Sequence, residues 1–595
     1  MTECRNLVED DHNELMMPLN VNGLFGWLHA PPGHSQSDVA VLICPALTLD
    51  SFDSHQPLRV LADGLAAMGY PTMRFNYPDI GDSCDIADSQ HWAKEHWQAW
   101  QQSIHEAADW LRRATGARHL VFCGLRIGAT LATLAAEQRN DVAGLILLAP
   151  VLRGRSYLRQ LWIEAGMQDG PVPPLSEGLD FDELHLSAET VRLISQVDLR
   201  HVKLPSGRPT AIFSKPDSKL LNECVEAWTN KGAEVTCFGF GGLESIIRDY
   251  VESEHPSVDT SAIIEWLRQA IPARPSRIPR TSMPGSAILR SPGCIETPLR
   301  FGPNNRLFGV LCRPYKNPRQ MAVIITNSGR VPHYGFGRFG VEFGRRLAAE
   351  GITSLRMDFA GLGDSLGPAA KENLVSALFE TDRTPDISAA IDALERLGHR
   401  NIAVYGSCAG AYHAFHAALA DQRIGTLLLV NMPLFIWRKG ETVTVARQRT
   451  FPLSHYLRML TSLRGWSRLL RGELDSVGLL RGQLDRLCKH VLAAPLQILI
   501  PQLGHSSSET FARHALATLS RRRTNTLFLF GPDDVGIHAL KESVGQRGGG
   551  LRLFEGVSMQ IVPEFDHNLG RRPARHIAAA IMIDFISSSL NPTDQ

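Results

Sequence analysis

Short apolar runs alternate with amphipathic segments along most of the chain. In the later part of the sequence, such runs predict strands at 307–314, 322–326, 352–359, 402–406 and 424–430. Segments with apolar residues at helical spacing predict helices between them, at 341–351, 387–398 and 409–421. Strands that alternate with helices favour a mostly parallel sheet that is covered by helices on both faces.

The same pattern occurs twice in the chain. Gly81-Asp82-Ser83 recurs as Gly363-Asp364-Ser365, and the segment 124–128 recurs as 406–410, each time 282 residues later. The apolar run ending at Ala149-Pro150 has a counterpart that ends at Val430-Asn431, which is compatible with this spacing. Several matches at one spacing predict two domains of one fold, at 1–270 and 294–595. The segment 271–293, rich in Pro, Ser and Arg, is predicted to be a linker.

Composition limits the class of protein. The 595 residues are too many for one ordinary core, and 61 Lys and Arg balance 61 Asp and Glu. This balance argues against a nucleic-acid partner, and the absence of a run of 18 apolar residues argues against a membrane span. The ten cysteines form no CxxC pair, and the polar start lacks a secretion signal. We therefore expect a cytoplasmic protein with reduced thiols, no metal and no cofactor.

A candidate nucleophile lies between a predicted strand and a predicted helix. Cys408 is the central residue of a G-x-C-x-G sequence, which is typical of the sharp turn called a nucleophile elbow. The following helix N-terminus would stabilise a thiolate, and the N–H of Ala409 would face a developing oxyanion. The second oxyanion donor is expected from the loop after strand 322–326, where Ser328 and Gly329 lie. The alternative is that Cys408 is a buried structural thiol.

An acid and a base follow in the order that this kind of site requires. Asp534 comes just after a predicted strand, with Asp533 as the alternative acid. His567 follows the next predicted strand and precedes the last helix, whereas His538 is a weaker candidate for the base. The order and the positions after strands predict a Cys408–Asp534–His567 triad.

These residues resemble the α/β-hydrolase superfamily over nearly the whole chain. A closer resemblance is to the exosortase-system-associated hydrolases of bacteria. One type of these has a Cys elbow preceded by a segment like 358–365, and the other has a G-L-R-x-G elbow like 124–128. The resemblance implies two tandem α/β-hydrolase domains with helical lid insertions, near exopolysaccharide or lipid-like biosynthesis. It also implies that the segment 358–365 shapes the structure or the pocket.

The first copy has lost the predicted chemistry. Arg126 stands where Cys408 stands in the second copy, and a guanidinium cannot act as a nucleophile. Asp217 retains the acid position, but Leu243 or its neighbours stand where the base belongs, and His255 lies farther on. We expect a non-catalytic domain. Arg126 either binds an anionic group at the helix N-terminus or forms a structural ion pair with Asp217.

The second copy carries a long basic insertion at about 434–495, which is predicted to be a lid. Residues 434–489 contain 11 Lys and Arg against 4 Asp and Glu, with apolar residues between them. This pattern suits an acyl chain on a phosphate-bearing carrier, such as coenzyme A or an acyl-carrier protein. The alternatives are a solvated basic helix face, a contact with an acidic part of the first domain, or a membrane-surface role.

The sequence thus predicts a Cys-dependent acyl hydrolase or acyltransferase that acts on an ester or thioester. A non-enzymatic scaffold or binding protein for acyl-carrier or acyl-CoA partners is the alternative. The discriminating feature is the triad, because the second copy keeps all three positions and the first copy keeps only one. This selective retention favours an enzyme with a pseudoenzyme partner domain.

Overall fold

A computed structural model describes most of the chain in two α/β units. We call residues 16–276 the N-terminal half and residues 287–589 the C-terminal half. The described residues are 16–32, 37–47, 49–169, 174–181, 184–204, 206–215, 218–240, 260–276, 287–367, 377–439, 507–532, 534–544 and 549–589. The predicted lid from residue 440 onwards lies outside them, as do Asp217, Leu243, His255 and Asp533.

The N-terminal half contains an eight-stranded sheet and a small hairpin. Its strands are β1 (Met16–Val21), β2 (Leu24–His29), β3 (Val39–Cys44), β4 (Thr72–Phe75), β5 (His119–Leu125), β6 (Val142–Leu148), β7 (Leu179–Phe181), β8 (Leu184–Leu186), β9 (Pro209–Ser214) and β10 (Glu234–Gly239). Its helices are α1 (Leu49–Ala67), α2 (His96–Thr115), α3 (Ile127–Glu137), α4 (Gly154–Asp169), α5 (Ala188–Ser195), α6 (Lys219–Thr229) and α7 (Thr260–Ala270). The strand order is β1-β2-β4-β3-β5-β6-β9-β10, and β7 pairs with β8 separately.

The C-terminal half contains a nine-stranded sheet. Its strands are β11 (Leu289–Ser291), β12 (Cys294–Phe301), β13 (Leu307–Pro314), β14 (Met321–Ile325), β15 (Thr353–Asp358), β16 (Asn401–Ser407), β17 (Ile424–Val430), β18 (Asn525–Phe530) and β19 (Val557–Ile561). Its helices are α8 (Phe339–Ala349), α9 (Ala377–Glu380), α10 (Thr384–Arg396), α11 (Ala409–Ala420), α12 (Ser507–Arg521), α13 (Val535–Val544) and α14 (Arg572–Ser589). The strand order is β11-β12-β13-β15-β14-β16-β17-β18-β19.

The two sheets have one topology. From β12 onwards, the C-terminal sheet repeats the strand order of the N-terminal sheet, with the same exchange of its third and fourth strands. In both sheets the strands on one side of that exchange pair antiparallel, and the later strands are all parallel. This is the strand order of the α/β-hydrolase fold. The predicted fold class, two tandem sheets of this type that are mostly parallel and flanked by helices, is confirmed.

Alternation along each strand places the helices on both faces. In β5, Phe122 packs in a cluster with α2 and α3, whereas its neighbour Val121 packs with α1 and α7. In β14, Ile324 faces α10 and α11, and Val323 faces α8 and α14. Strands that are buried on both faces read as continuous apolar runs, which explains why the sequence pattern located them.

The halves touch along β2 and β13. Phe25 and Trp27 form one buried cluster with Phe308 and Val310, and the Trp27 and Phe308 ring centroids lie 4.7 Å apart. Leu289 of β11 joins this cluster, so β11 is an ordered strand inside the segment that the sequence predicts to be a linker. Among the described residues, no helix combines the length and the apolar character that a membrane crossing requires.

Candidate active site

Cys408 occupies a strained turn between β16 and α11. Its φ of 52° and ψ of −119° lie outside the ordinary regions for a residue with a side chain, and it caps the helix that begins at Ala409. Glycine is required beside it, because a Cβ on Gly410 would lie 2.2 Å from the carbonyl oxygen of Asn327. The turn therefore holds a half-buried thiol at the helix N-terminus, as the sequence predicts.

Asp534 and His567 meet although 32 residues separate them in the chain. Nδ1 of His567 lies 2.6 Å from Oδ2 of Asp534. The side chain of Asp534 is buried, whereas that of His567 is 32% exposed. The N–H of Gly536 donates to the other Asp534 oxygen at 2.8 Å, which fixes the carboxylate at the start of α13. The structure thus brings together the two residues that the sequence selected, and His538 lies on α13.

Electrostatics link His567 to Cys408. Desolvation by itself lowers the pKa of His567. The negative charge of Cys408 outweighs this effect together with hydrogen bonds from His567 to Asp534 and Cys408, and they raise that pKa to about 10. At neutral pH the imidazole is therefore a cation that lies between a thiolate and a carboxylate. This ion pair is the charge state that a cysteine nucleophile needs.

Asn431 supports the base and was not identified from the sequence. Its Nδ2 donates to the carbonyl oxygens of Asp566 and His567, each at 2.9 Å, and its Oδ1 accepts from the N–H of Gly531 at 3.0 Å. It is fully buried. A single amide thus ties the His567 loop to the end of β18. Its counterpart 282 residues earlier is Ala149, which has the same positive φ but no amide.

The loop after β14 lies against the elbow. Asn327 is buried, and its Nδ2 donates to Oδ1 of Asp358 at 2.7 Å and to the Val331 carbonyl at 2.9 Å. Its Oδ1 accepts from the N–H of Phe359 at 2.7 Å. Ser328 and Gly329 follow in a turn that a 3.1 Å bond from Val331 N–H to the Ser328 carbonyl closes. The anchored Asn327 keeps this turn beside Gly410, and the oxyanion role of Ser328 and Gly329 stays a prediction.

An apolar wall lies next to the elbow. Ala409 packs in one buried cluster with Phe379, Leu434 and Trp437. The Phe379 and Trp437 rings stack with centroids 4.9 Å apart, and Tyr412 meets Phe379 edge-on. Leu434 and Trp437 belong to the short described part of the predicted lid. One side of the thiol is therefore dry and suited to hydrocarbon.

Arg126 occupies the equivalent turn of the N-terminal half. Its φ of 54° and ψ of −122° nearly equal those of Cys408. Its Nε lies 3.2 Å from Asp50 and its Nη2 lies 3.0 Å from Gln160, so the structure shows an ion pair with a residue that the sequence analysis did not consider. Burial raises the pKa of Asp50, and the Arg126 charge opposes that rise. Anion binding by Arg126 stays a prediction.

No family model matches the chain, and no curated protein matches it. Solved structures do: Est1E from Butyrivibrio proteoclasticus (16% identity, TM-score 0.31) covers 43% of this chain and is itself covered over 98%. The alpha/beta hydrolase GrgF from Penicillium sp. sh18 (16%, 0.30) gives 43% and 98%, and the Pyrococcus furiosus esterase Pf2001 (14%, 0.29) gives 45% and 95%. The fold assignment rests on the strand order and the two elbows.

One buried group of described residues has the composition of a metal site. His333, Asp358 and Asp364 place potential ligand atoms within 4.8 Å of one another. Both ring nitrogens of His333, however, lie 2.7 Å from carboxylate oxygens, of Asp358 and of Asp82. Burial alone lowers the pKa of His333, but the two carboxylates raise it to about 10. The ring is then a cation that donates from both nitrogens and has no lone pair for a metal.

Proposed function

We propose that the chain is a Cys-dependent acyl hydrolase or acyltransferase, with Cys408 as nucleophile, His567 as acid and base, and Asp534 as the residue that orients His567. The observation that carries the proposal is the contact between Asp534 and His567, with His567 electrostatically coupled to a thiol at a strained helix N-terminus. The N-terminal half, with Arg126 in the corresponding turn, is proposed to be non-catalytic.

The first half-reaction acylates Cys408. The thiolate attacks the carbonyl carbon of an ester or thioester, and the carbonyl oxygen gains the electron pair. The N–H of Ala409 and an N–H of the Ser328–Gly329 turn stabilise that oxyanion. As the tetrahedral intermediate collapses, the bond to the leaving group breaks and His567 gives its proton to the departing alkoxide or thiolate.

The second half-reaction releases the acyl group. With the thiolate consumed, His567 is neutral and accepts a proton from the incoming nucleophile. Water gives hydrolysis, whereas an amine or thiol acceptor gives transfer, because the intermediate is itself a thioester. Collapse of the second tetrahedral intermediate expels the Cys408 thiolate and restores the ion pair with His567.

The proposed substrate class is an apolar acyl group on an ester or thioester carrier. The wall of Phe379, Leu434 and Trp437 next to Ala409 supports the apolar acyl group. The basic composition of the lid supports a carrier with phosphate, such as coenzyme A or an acyl-carrier protein. The resemblance to exosortase-associated hydrolases places this chemistry near exopolysaccharide or lipid-like biosynthesis.

Steady-state turnover of acyl-coenzyme A and of nitrophenyl esters tests the proposal. We expect release of the carrier from the wild type, and loss of that release in Cys408→Ala. Cys237→Ala is the matched control, because Cys237 is an exposed thiol far from either elbow in the chain and its loss should leave turnover unchanged. Added amine or thiol acceptors separate transfer from hydrolysis. Equal turnover in wild type and Cys408→Ala would refute the proposed nucleophile.

A further inference from the structure

The two Gly-Asp-Ser motifs form the polar contact between the halves. Within each half, the motif serine is held in the same way. Ser83 accepts from Phe25 N–H and donates to the Asn76 carbonyl, and Ser365 accepts from Phe308 N–H and donates to the Asp358 carbonyl. The aspartate that precedes each serine instead crosses to the other half. The repeat therefore builds an interface with approximate twofold symmetry.

Asp364 ends on the N-terminal half without reaching its elbow. Its Oδ1 lies 3.0 Å from Arg74 and 3.2 Å from His55, and its Oδ2 accepts from Trp27 at 3.0 Å. Arg59 donates to the Gly363 and Ser365 carbonyls at 2.7 and 2.9 Å. These contacts dock the halves.

Asp82 makes the corresponding contacts in the C-terminal half, and one of them continues inwards. Its Oδ1 accepts from Arg356, the counterpart of Arg74, at 2.8 to 2.9 Å. Its Oδ2 lies 2.7 Å from Nε2 of His333, and Nδ1 of His333 lies 2.7 Å from Oδ2 of Asp358. The side chains of Asp82, His333 and Asp358 are at most 1% exposed, so their charges are not screened by water.

Asp358 passes this contact to the loop beside Cys408. Its Oδ1 accepts from Asn327 at 2.7 Å, and it also accepts from the backbone N–H of His333 at 2.8 Å. Asn327 packs directly against Gly410 and precedes Ser328 and Gly329. A continuous line of buried hydrogen bonds therefore leads from Asp82 of the N-terminal half to the predicted oxyanion turn.

The line exists in one direction only. The positions 282 residues before Asn327, His333 and Asp358 hold Pro45, Ser51 and Asn76. The local packing there is otherwise conserved in shape, since a Cβ on Gly128 would lie 2.1 Å from the Pro45 carbonyl oxygen, as Gly410 would with Asn327. The half with the thiol has the amide, the imidazole and the carboxylate, and the half with Arg126 has none of the three. A purely structural interface would give no reason for this asymmetry.

We propose that Asp82 is a positioning residue for the C-terminal active site, acting through His333, Asp358 and Asn327 on the oxyanion turn. The N-terminal half then completes the site of the other half, although its own elbow has no nucleophile. This inference rests on the proposed function. A shift of oxyanion donors by about 1 Å is enough to slow an acyl transfer on the order of 100-fold.

The test compares two reactions of the same thiol in the full chain. Alkylation of Cys408 by iodoacetamide forms no oxyanion, whereas acylation by a short acyl thioester does. For Asp82→Asn we expect alkylation within about twofold of wild type and acylation slower by about 10- to 100-fold. The matched control is Asp364→Asn, the same residue of the other motif with the same 1% exposure. It should weaken docking and leave the acylation rate within about twofold of wild type.

A second variant covers the case in which Asp82→Asn does not fold. His333→Gln removes the cation between Asp82 and Asp358, and it should show the same slow acylation with normal alkylation. Acylation at the wild-type rate in either variant, or an equal loss in Asp364→Asn, overturns the inference and leaves the proposed function standing. A wild type that is alkylated but never acylated contradicts the proposed function, and the inference falls with it.

Discussion

The 2.6 Å contact between Asp534 and His567 sets the tautomer of the imidazole, because Nδ1 donates to the buried carboxylate and Nε2 is directed to the remaining partner. Asp534→Asn preserves the shape but removes the charge. We expect acylation of Cys408 to slow by roughly 100- to 10,000-fold, measured by stopped-flow with a chromogenic thioester. Asp533→Asn, the neighbouring carboxylate, is the control and should retain most of the rate. The opposite ranking would make Asp533 the acid.

The protonation of His567 should depend on Cys408. The charge of Cys408 is the largest influence that raises the pKa of His567 to about 10. In Cys408→Ala that influence is gone, while desolvation still lowers the pKa. We expect NMR titration of the imidazole to show a cation throughout pH 6 to 9 in the wild type and a lower pKa in the variant. An unchanged pKa would mean that the thiol and the imidazole do not interact.

Asn431→Ala should impair the reaction more than binding. The substitution leaves the Gly531 N–H and two carbonyls of the His567 loop without their amide partner. We expect a loss of about 1–3 kcal/mol in the free energy of unfolding, measured by urea denaturation, and a drop in kcat with little change in KM. Asn431→Asp is informative as a second variant, since it keeps the acceptor for Gly531 and loses the donor. Full kcat in both variants would contradict a supporting role for Asn431.

Buried His333 should make stability depend on pH. Its pKa is raised to about 10 in the folded chain, mainly against desolvation by the charges of Asp82 and Asp358. An ordinary unfolded histidine has a pKa of about 6.5, so the folded state holds the extra proton between these values. The contribution of His333 is complete below pH 6.5 and declines as pH rises towards 10, by at most ~1.4 kcal/mol per pH unit.

Asp82→Asn removes one of the two carboxylates and should flatten that decline. Urea denaturation at pH 7, 8 and 9 measures it, and we expect the difference in unfolding free energy between wild type and Asp82→Asn to shrink with rising pH. A constant difference across this range would show that His333 is neutral in the fold.

The elements and the triad could be predicted from the sequence, but their supports could not. Apolar runs located β13 and β17 at the observed residues, because strands buried on both faces leave an uninterrupted apolar pattern. Asn327 and Asn431 act on carbonyls, N–H groups and a carboxylate brought close only by the fold, so no local spacing marks them. Arg126 shows the same limit: its partner Asp50 lies 76 residues away and follows no motif.

The repeat itself contained a signal for these residues. Aligned at a spacing of 282, Pro45 faces Asn327, Asn76 faces Asp358 and Ala149 faces Asn431. Each pair differs where one half has a polar group and the other lacks it or its charge. Comparison of the two copies position by position would have identified the supporting residues, although not the direction in which Asp82 and Asp364 cross between the halves.

The central claim is covalent catalysis by Cys408, and trapping the acyl enzyme tests it most directly. The full chain is mixed with acyl thioesters of short and long chains, quenched in acid at increasing times and analysed by intact-mass spectrometry with peptide mapping. We predict one acyl adduct, located on Cys408, that forms and decays in the wild type and is absent from Cys408→Ala. No adduct at any time with any chain length, or an adduct that persists in Cys408→Ala, would contradict the account.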